Sequence, residues 1–482
     1  MTTSSEKMRQ KTQMLESTKR LINLALILGC VGLEIAIFSY HWYYHFRPSV
    51  VYPLNKAYFW GNVLETTIYG SVLLLISRMY GGIRLGYLKA SELVFSQVFA
   101  TVLAEIFIYG ELSLMAFELF HLHYFLQMGI EQLAIVLIYL PIADRVYRHI
   151  FPPRKLLMIY GRKQPDVLSE KFETRKDKYK ITDRIEVEEG YDAVIKRIED
   201  DFSKGKCNAV VIGDISVDER KPIIKYCYGN SIRFYLFPKI GDVILTGAEE
   251  LHVFDSPILL TREYSLTVEE RVIKRTIDIV FSLILIILTS PFMLLTAIAV
   301  KACDRGPILY KQVRCTRDAK KFMIYKFRSM RVDAESDGVA RLASKGDSRV
   351  TPVGKFIRKC RLDELPQLFN ILKGDMSFIG PRPERPEIIE QYIEIMPEFA
   401  YRMKVKAGLA GFAQVYGKYN TTPYDKLKLD LIYIEHYSLM LDLKLMLLTL
   451  KVLLWPDSTE GVEKEQITAL KNEKQKSERQ DD

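Results

Sequence analysis

The chain has 482 residues, which is too long for one ordinary domain and predicts two or three. Its mean hydropathy of +0.01, with 26% charged residues, means that apolar residues are concentrated in segments, which excludes an evenly mixed soluble protein. The formal net charge of +9 suits a surface that faces anionic lipid, phosphate or nucleic acid.

The cysteines and histidines do not indicate a metal site. The six cysteines lie far apart and include no Cys-x-x-Cys pair, which is typical of unpaired thiols in a reducing compartment. His121 and His123 form a His-x-His pair, but no acidic or cysteine partner accompanies them. We interpret them as packing or interfacial histidines.

Four apolar runs precede residue 151, at residues 21–40, 58–76, 93–115 and 126–142. Each is close to the ~20 residues that a membrane-spanning helix needs. Lysine and arginine concentrate in residues 1–20, between the second and third runs and after the fourth, and the positive-inside rule makes these places cytoplasmic. The sequence therefore predicts four transmembrane helices within residues 21–150, followed by a return to the cytoplasm.

Two acidic residues, Glu65 and Glu105, fall inside the second and third runs. An ionised side chain there costs about 2.5 to 3.5 kcal/mol, so each needs an explanation. A transport pathway is one interpretation. The favoured interpretation is that both carboxyl groups face contacts between helices or are protonated.

Residues 151–262 alternate short β-rich runs with polar helical ones, which predicts a small Rossmann-like α/β domain. The predicted buried strands are 156–161, 209–215 and 232–238. The first turn, YGRKQPD, lacks the Gly-x-Gly-x-x-Gly pattern that brings a backbone close to a pyrophosphate. A regulatory or packing role is favoured over a dinucleotide enzyme, and the ligand is left open.

A fifth apolar run, residues 279–300, is long enough to cross a membrane, but basic residues flank both of its ends. Pro291 lies near its middle and predicts a kink. The sequence therefore predicts a re-entrant helix at about 276–301 that breaks at Ser290 and Pro291, where the Ser290 hydroxyl satisfies carbonyls freed by the proline. A simple fifth span is the alternative.

The segment RKCRLDELPQLFNI, residues 358–371, places Asp363 and Glu364 beside Arg358. Arginines can hold phosphate while a carboxylate attacks phosphorus or binds Mg²⁺. Pro366 suits the start of a helix, so Asp363 as a helix N-cap is the structural alternative. A second candidate phosphate ligand is Arg382, which Pro381 and Pro383 hold in a stiff turn; a proline-rich surface loop is its alternative.

The region from about residue 271 to residue 455 resembles the bacterial sugar transferase family, the monotopic phosphoglycosyl transferases that use polyprenyl phosphate. Seven ordered blocks carry the resemblance: KRTID (274–278), the Ser-Pro break, GPILYKQVR (306–314), KFRSM (326–330), DSRVTPVGKFIRK (347–359), LDELPQLFNILKGDMSFIGPRP (362–383) and AGLAGFAQVYGK (407–418). Several ordered blocks are far more specific than any single motif.

The resemblance implies a transferase of hexose 1-phosphate from a UDP-hexose to undecaprenyl phosphate, acting with Mg²⁺ in the first membrane step of exopolysaccharide or capsule synthesis. Asp363 would be the nucleophile, and Glu364 would hold the metal or assist proton handling, with both carboxylates as candidate metal ligands. The residues that would bind phosphate are Arg358, Arg382 and Arg328. The anchoring helix would be fixed by Lys274, Arg275 and Asp278.

The expected fold is membrane α plus α/β: four transmembrane helices, the Rossmann-like domain, and an α/β catalytic domain at 263–456 with the re-entrant helix. Residues 457–482 are charged and poor in apolar groups, and predict a disordered tail. The resemblance places the catalytic domain on the cytoplasmic face of a bacterial cell membrane and is compatible with a homodimer and with downstream glycosyltransferases as partners. Nucleic acid is not expected. Two rivals are a direct-attack Mg²⁺-dependent transferase without a covalent intermediate and an inactive membrane scaffold.

Overall fold

The computed structural model describes residues 2–48, 59–161, 169, 171–253, 255–261, 266–331, 349–417 and 421–454, and it describes the side chains of those from residue 18 to residue 453. The chain divides into two compact units, Met1–Phe237 and Pro238–Asp482. The charged tail at 457–482 lies outside the described residues.

Four long helices open the first unit. They are α1 (Thr2–His41), which continues into a π-helical turn (Trp42–Phe46), α2 (Phe59–Tyr80), α3 (Ala90–Ala116) and α4 (Leu122–Ile150). Their inward-facing apolar residues, among them Phe38, Leu73, Ile108 and Val136, share one core. All four are long and apolar enough to cross a membrane, which indicates a membrane protein.

Polar side chains also lie between these four helices. Glu65 is only 4% exposed, and the Glu105 carboxylate lies against Gly129 of α4. Glu34 of α1 is fully buried and accepts hydrogen bonds from the α3 side chains Gln97 (2.9 Å) and Thr101 (2.6 Å). The role of Glu34 was not predicted from the sequence, because a single acidic residue does not interrupt a long apolar run.

The rest of the first unit is a parallel sheet with helices. Its elements are β1 (Arg154–Tyr160), β2 (Tyr179–Glu186), α5 (Tyr191–Ser203), β3 (Ala209–Ile212), α6 (Val217–Gly229) and β4 (Phe234–Leu236). The strand order is β2-β1-β3-β4, with all pairs parallel. Strand β2 was not predicted from the sequence, because this edge strand alternates polar and apolar residues and has no continuous apolar run.

The second unit begins earlier than the sequence boundary at residue 263. Its first elements are α7 (Ile240–Thr246) and the antiparallel hairpin β5 (Glu249–Val253) and β6 (Ser256–Leu260). Ile240 and Val243 share a core with Leu427 and Leu431 of the catalytic domain. Hydrophobic burial therefore assigns α7 to the second unit, although its position along the chain suggested the first.

Helix α8 runs without interruption from Val268 to Asp304 and contains Pro291. The helix is therefore not interrupted at Ser290 and Pro291, where the sequence predicted a break. Proline removes the hydrogen bond to the carbonyl four residues earlier, which is that of Ile287. The Ser290 hydroxyl donates to this same carbonyl over 2.8 Å, so the freed acceptor has a partner.

The remaining elements form the catalytic domain. They are β7 (Leu309–Cys315), β8 (Lys321–Phe327), α9 (Pro352–Lys359), α10 (Gln367–Lys373), β9 (Ser377–Ile379), α11 (Pro386–Ile395), β10 (Gly408–Ala410), α12 (Phe412–Tyr416), α13 (Pro423–Glu435) and α14 (Leu439–Leu454). Strands β7 and β8 form an antiparallel hairpin, and β9 pairs with β10 in parallel. Asn370 joins α10 to β8, since its amide donates to Met323 O (2.8 Å) and accepts from Tyr325 N (3.0 Å).

Candidate active site

The carboxylate pair lies in a tight turn between α9 and α10. Helix α9 ends at Lys359, and Arg361 adopts a left-handed conformation with φ of 56°. A short 3₁₀ turn (Leu362–Glu364) follows, and the N-cap of α10 is Pro366. Asp363 is therefore not the N-cap, which removes the structural alternative that the sequence left open for it.

Glu364 is surrounded by cations. Its Oε1 accepts from Lys326 Nζ (2.9 Å) and Arg382 Nη2 (3.2 Å), and its Oε2 lies 3.7 Å from Arg361 Nη1. Burial alone would raise the pKa of Glu364, but Lys326, Arg382 and Arg361 reverse that effect and lower the pKa well below its ordinary value. Glu364 is therefore a firmly ionised carboxylate.

Asp363 has the opposite environment. It is 8% exposed, and its carboxylate has no hydrogen-bond or ion-pair partner among the residues that the structure describes. Burial and the neighbouring charge of Glu364 raise the pKa of Asp363 to about 6, although Lys326 and Arg358 oppose the rise. Two adjacent carboxylates with pKa values pushed apart are typical of a catalytic pair.

The structure brings two of the three candidate cationic residues, together with Lys326, to this turn. Arg382 contacts Glu364 directly, and Arg358 acts electrostatically on Asp363. Lys326 was not singled out from the sequence, although it lies in the KFRSM block. The order of residues in that block does not reveal which of its cations faces the carboxylates.

Arg328 has a different partner. This side chain is 7% exposed, and its guanidinium forms an ion pair with Asp304 at the C-terminal end of α8. The contact ties the C-terminal end of α8 to the residue that directly follows β8, the strand that carries Lys326. In this arrangement Arg328 attaches α8 to the domain, and a role in phosphate binding stays a prediction.

Residues near the N-terminal end of α8 contact the domain at three points. Lys274 Nζ donates to Ile379 O (3.0 Å) and forms an ion pair with Asp442. Arg275 donates to the carbonyls of Ile371 and Leu372, at 2.7 Å each.

The third contact is made by Asp278, whose Oδ1 accepts from Ser377 Oγ and Phe378 N at 3.0 Å each. Charge-assisted hydrogen bonds of this kind are about twice as strong as neutral ones, so the two elements are held in register. The helix is thereby joined to the strand that leads into the Arg382 loop.

The carboxylate pair offers only part of the ligand set that a Mg²⁺ ion takes. Mg²⁺ commonly takes one or two protein carboxylates and completes its shell with water and substrate phosphates. Asp363 and the Oε2 atom of Glu364 could supply protein ligands, whereas Glu364 Oε1 already has two cationic partners. Within the described part of the chain, no group of three or more His, Cys, Asp or Glu residues is placed to hold a metal ion.

Comparison with known proteins identifies the family. A model of the family described as "Bacterial sugar transferase" matches residues 269–456, which include every residue of the site above. A glucose-1-phosphate transferase of Caulobacter vibrioides is 40% identical over 190 residues, which are 38% of this chain and 71% of that protein. The chain belongs to the bacterial sugar transferase family.

Other members of the family are similar over the same extent of chain. A UDP-N-acetylgalactosamine-undecaprenyl-phosphate N-acetylgalactosaminephosphotransferase of Aeromonas hydrophila is 45% identical over 185 residues, 38% of this chain and 44% of that protein. A UDP-glucose:undecaprenyl-phosphate glucose-1-phosphate transferase of Klebsiella pneumoniae is 42% identical over 210 residues, 42% of this chain and 43% of that protein. The matched part thus spans less than half of these two relatives.

Proposed function

We propose that the chain transfers a sugar 1-phosphate from a UDP-sugar to undecaprenyl phosphate and releases UMP, as the first membrane step of exopolysaccharide or capsule repeat-unit synthesis. The observation that carries the proposal is the asymmetric pair: Asp363 is buried and unpartnered among the described residues, while the adjacent Glu364 is paired with Lys326 and Arg382. The names of the relatives described above support the same donor and acceptor classes.

In the first step, a carboxylate oxygen of Asp363 attacks the β-phosphorus of the UDP-sugar. The bond between that phosphorus and the bridging oxygen breaks, and UMP leaves with the electron pair. The sugar phosphate is then an acyl phosphate on Asp363. Arg382 and Arg358 carry the positive charge that offsets the phosphate oxygens, which is the main work of catalysis in phosphoryl transfer.

In the second step, a phosphate oxygen of undecaprenyl phosphate attacks the same phosphorus. The acyl phosphate bond breaks, Asp363 regains its carboxylate, and the product is undecaprenyl diphosphate sugar. Glu364 remains ionised throughout because its cationic neighbours hold its pKa low. Its position between Lys326 and Arg382 keeps these two cations beside the reacting phosphorus.

A bound Mg²⁺ would be held by Asp363, Glu364 and phosphate oxygens, and would supply charge neutralisation at the diphosphate. The glucose, galactose and N-acetylgalactosamine named among the relatives define the first donors to test. From the resemblance alone, we also propose a homodimer that delivers its product to downstream glycosyltransferases.

For the membrane arrangement, we propose a bundle of four transmembrane helices, a cytoplasmic catalytic domain and a re-entrant α8. Asp278 near one end of α8 and Asp304 at the other both contact the same domain, at Phe378 N and Arg328. A straight helix would separate these two residues by about 39 Å. Contact of both with one domain therefore favours a helix that bends back towards the side from which it came. The apolar side chains between them, such as Leu288 and Phe292, are exposed, as expected for a segment dipped into lipid.

The test is release of UMP by the purified full chain with Mg²⁺, undecaprenyl phosphate and a panel of UDP-sugars, together with mass spectrometry of the protein after donor alone. We expect a sugar phosphate attached to Asp363 and a loss of at least about 10³-fold in turnover for Asp363→Asn. Lys373→Met, at an exposed lysine of the same domain, is the matched control.

The rivals give different results. A direct-attack transferase would release UMP only when undecaprenyl phosphate is present and would leave no sugar phosphate on the protein. An inactive scaffold would release no UMP from any donor while remaining folded. Either outcome contradicts the covalent mechanism, and the second also contradicts the proposed function.

A further inference from the structure

Arg382 lies in a loop of residues 381–384. Because Pro381 and Pro383 have no N–H group, this loop has few backbone donors of its own for its carbonyl oxygens. Its four consecutive carbonyls instead accept hydrogen bonds from other segments. The donors are Gly408 N to Pro381 O (2.9 Å), Arg402 Nη2 to Arg382 O (3.0 Å), Arg314 Nη1 to Pro383 O (3.2 Å) and Cys315 N to Glu384 O (3.1 Å). All four carbonyls of the loop are therefore held by donors outside it.

Two of the four donors are guanidinium groups, and Arg402 is the more buried. It is 3% exposed, and the same Nη2 atom that donates to Arg382 O lies 2.8 Å from Asp430 Oδ2. Asp430 comes from α13, so this ion pair fixes the guanidinium between α13 and the loop. Without that carboxylate, only the more distant Glu384 carboxylate, 3.7 Å from Nη1, would offset the charge of the buried arginine.

Glu384, the last residue of the loop, completes the arrangement. Its Oε1 is 2.7 Å from Lys426 Nζ and 3.7 Å from Arg402 Nη1, and its Oε2 is 3.7 Å from Arg314 Nη1. Burial would raise the pKa of Glu384, but Lys426, Arg402 and Arg314 lower it to about 2. Arg402 and Arg314 therefore each contact the loop twice, at a backbone carbonyl and at the Glu384 carboxylate.

We infer that Arg402, held by Asp430, is a positioning residue that sets the Arg382 guanidinium against Glu364 and the donor phosphates. Arg402 bonds the backbone carbonyl of Arg382, and the guanidinium of Arg382 lies 3.2 Å from Glu364 Oε1. Displacement of that backbone therefore moves a phosphate-binding group relative to the carboxylate pair. This inference rests on the proposed function and assigns Arg402 no contact with substrate.

The test is a double-mutant cycle between Arg402→Lys and Arg382→Ala in the full chain, with kcat/KM for UMP release as the readout. Lysine keeps the charge but lacks the planar fork, whose Nη2 contacts Asp430 and the Arg382 carbonyl while its Nη1 faces Glu384. We expect Arg402→Lys to lower kcat/KM by about 10- to 100-fold, since a misplacement of about 1 Å can have that effect. In the Arg382→Ala background the same change should have less than about twofold effect.

A purely structural role gives another pattern, in which Arg402→Lys lowers kcat/KM by the same factor in both backgrounds, and this overturns the inference. Arg317→Lys, at an exposed arginine paired with Asp318, is the matched control and should retain activity. If Arg402→Lys does not fold, as judged by thermal melting, Asp430→Asn, which removes the charge that holds Arg402, carries the same cycle with the same two outcomes. Failure of the wild-type chain to release UMP contradicts the proposed function, whereas turnover with an additive cycle contradicts the positioning role alone.

Discussion

Asp363 must be deprotonated to attack phosphorus, and its pKa is raised to about 6 by burial and by Glu364. We therefore expect kcat/KM for UMP release to fall about tenfold per pH unit below pH 6. Lys326 lowers this pKa, so Lys326→Met should move the acid limb to higher pH, besides reducing the rate. The measurement is kcat/KM from pH 5 to pH 8 for both proteins.

Lys373→Met is the matched control for this experiment, because Lys373 is exposed and pairs with Asp375 instead of the site. Its acid limb should coincide with that of the wild type. An acid limb that stays in place in Lys326→Met would show that another group controls the rate at low pH.

The same raised pKa has a cost in stability. A proton binds Asp363 more tightly in the folded chain than at the ordinary aspartate pKa of about 3.9, so this residue destabilises the fold progressively as pH rises from about 4 through 6. Asp363→Asn removes the charge. We expect this variant to be more stable than wild type by roughly 1–3 kcal/mol at pH 8, with the difference vanishing near pH 4.

Melting temperatures of the two proteins in detergent at pH 4, 6 and 8 provide the measurement. Equal melting temperatures at pH 8 would mean that the folded protein does not disfavour the ionised carboxylate. A destabilised Asp363→Asn at pH 8 would indicate that the carboxylate has a stabilising partner.

At the scale of elements, α8 is attached to the catalytic domain near both of its ends. Its N-terminal part is held through Lys274, Arg275 and Asp278, and its C-terminal end through Asp304. A re-entrant α8 predicts that both of its ends are accessible from the cytoplasm. Cys303, which is exposed, and Glu269→Cys should therefore both react with a membrane-impermeant maleimide in inverted vesicles and neither in right-side-out vesicles.

Each introduced cysteine is labelled in a background with Cys303→Ser and Cys360→Ser, and Cys303 itself in Cys360→Ser alone, because Cys303 and Cys360 are both exposed. Leu119→Cys, between α3 and α4 in a segment that the positive-inside rule places outside, is the positive control for right-side-out vesicles. If Cys303 and Glu269→Cys react from opposite sides, α8 crosses the membrane and the re-entrant arrangement is wrong.

Elements differ in how well the sequence predicts them. The four N-terminal helices and strands β1, β3 and β4 follow from apolar runs, since burial on several sides requires such runs. The edge strand β2 and the membership of α7 do not follow, because both depend on which neighbour covers one face. The continuity of α8 through Pro291 was also not predicted, and the Ser290 hydroxyl explains how the helix tolerates that proline.

At the scale of the whole molecule, every charged atom of the site comes from the second unit. The Caulobacter vibrioides relative matches over 71% of its length although the match covers only 38% of this chain, so that relative is a much shorter protein. We expect a chain of residues 238–482, purified in detergent, to release UMP within about tenfold of the full-length rate. The assay is the one used for the full chain.

Asp363→Asn in the shortened chain is the control, and it should abolish the activity. Loss of activity in a folded 238–482 chain would mean that the four helices or the α/β domain contribute directly to the site. Residues 1–237 alone should be inactive, because they include neither carboxylate.

The sequence by itself determined the features that depend on residues close together in the chain. Asp363 and Glu364 are adjacent, Arg358 precedes Asp363 by five residues, and Pro366 marks the start of α10. Apolar runs of about 20 residues likewise predict membrane helices, because length and composition alone govern partition into lipid.

Only the tertiary structure decided which distant groups meet. Lys326 is 38 residues from its partner Glu364, and Arg402 is 20 residues from the carbonyl of Arg382 that it holds. The assignment of Arg328 to Asp304 instead of to the carboxylate pair is of the same kind. A charged residue can pair with any opposite charge that folding brings near. Electrostatic pairing depends on distance in space and on burial, so spacing along the chain does not determine the partner.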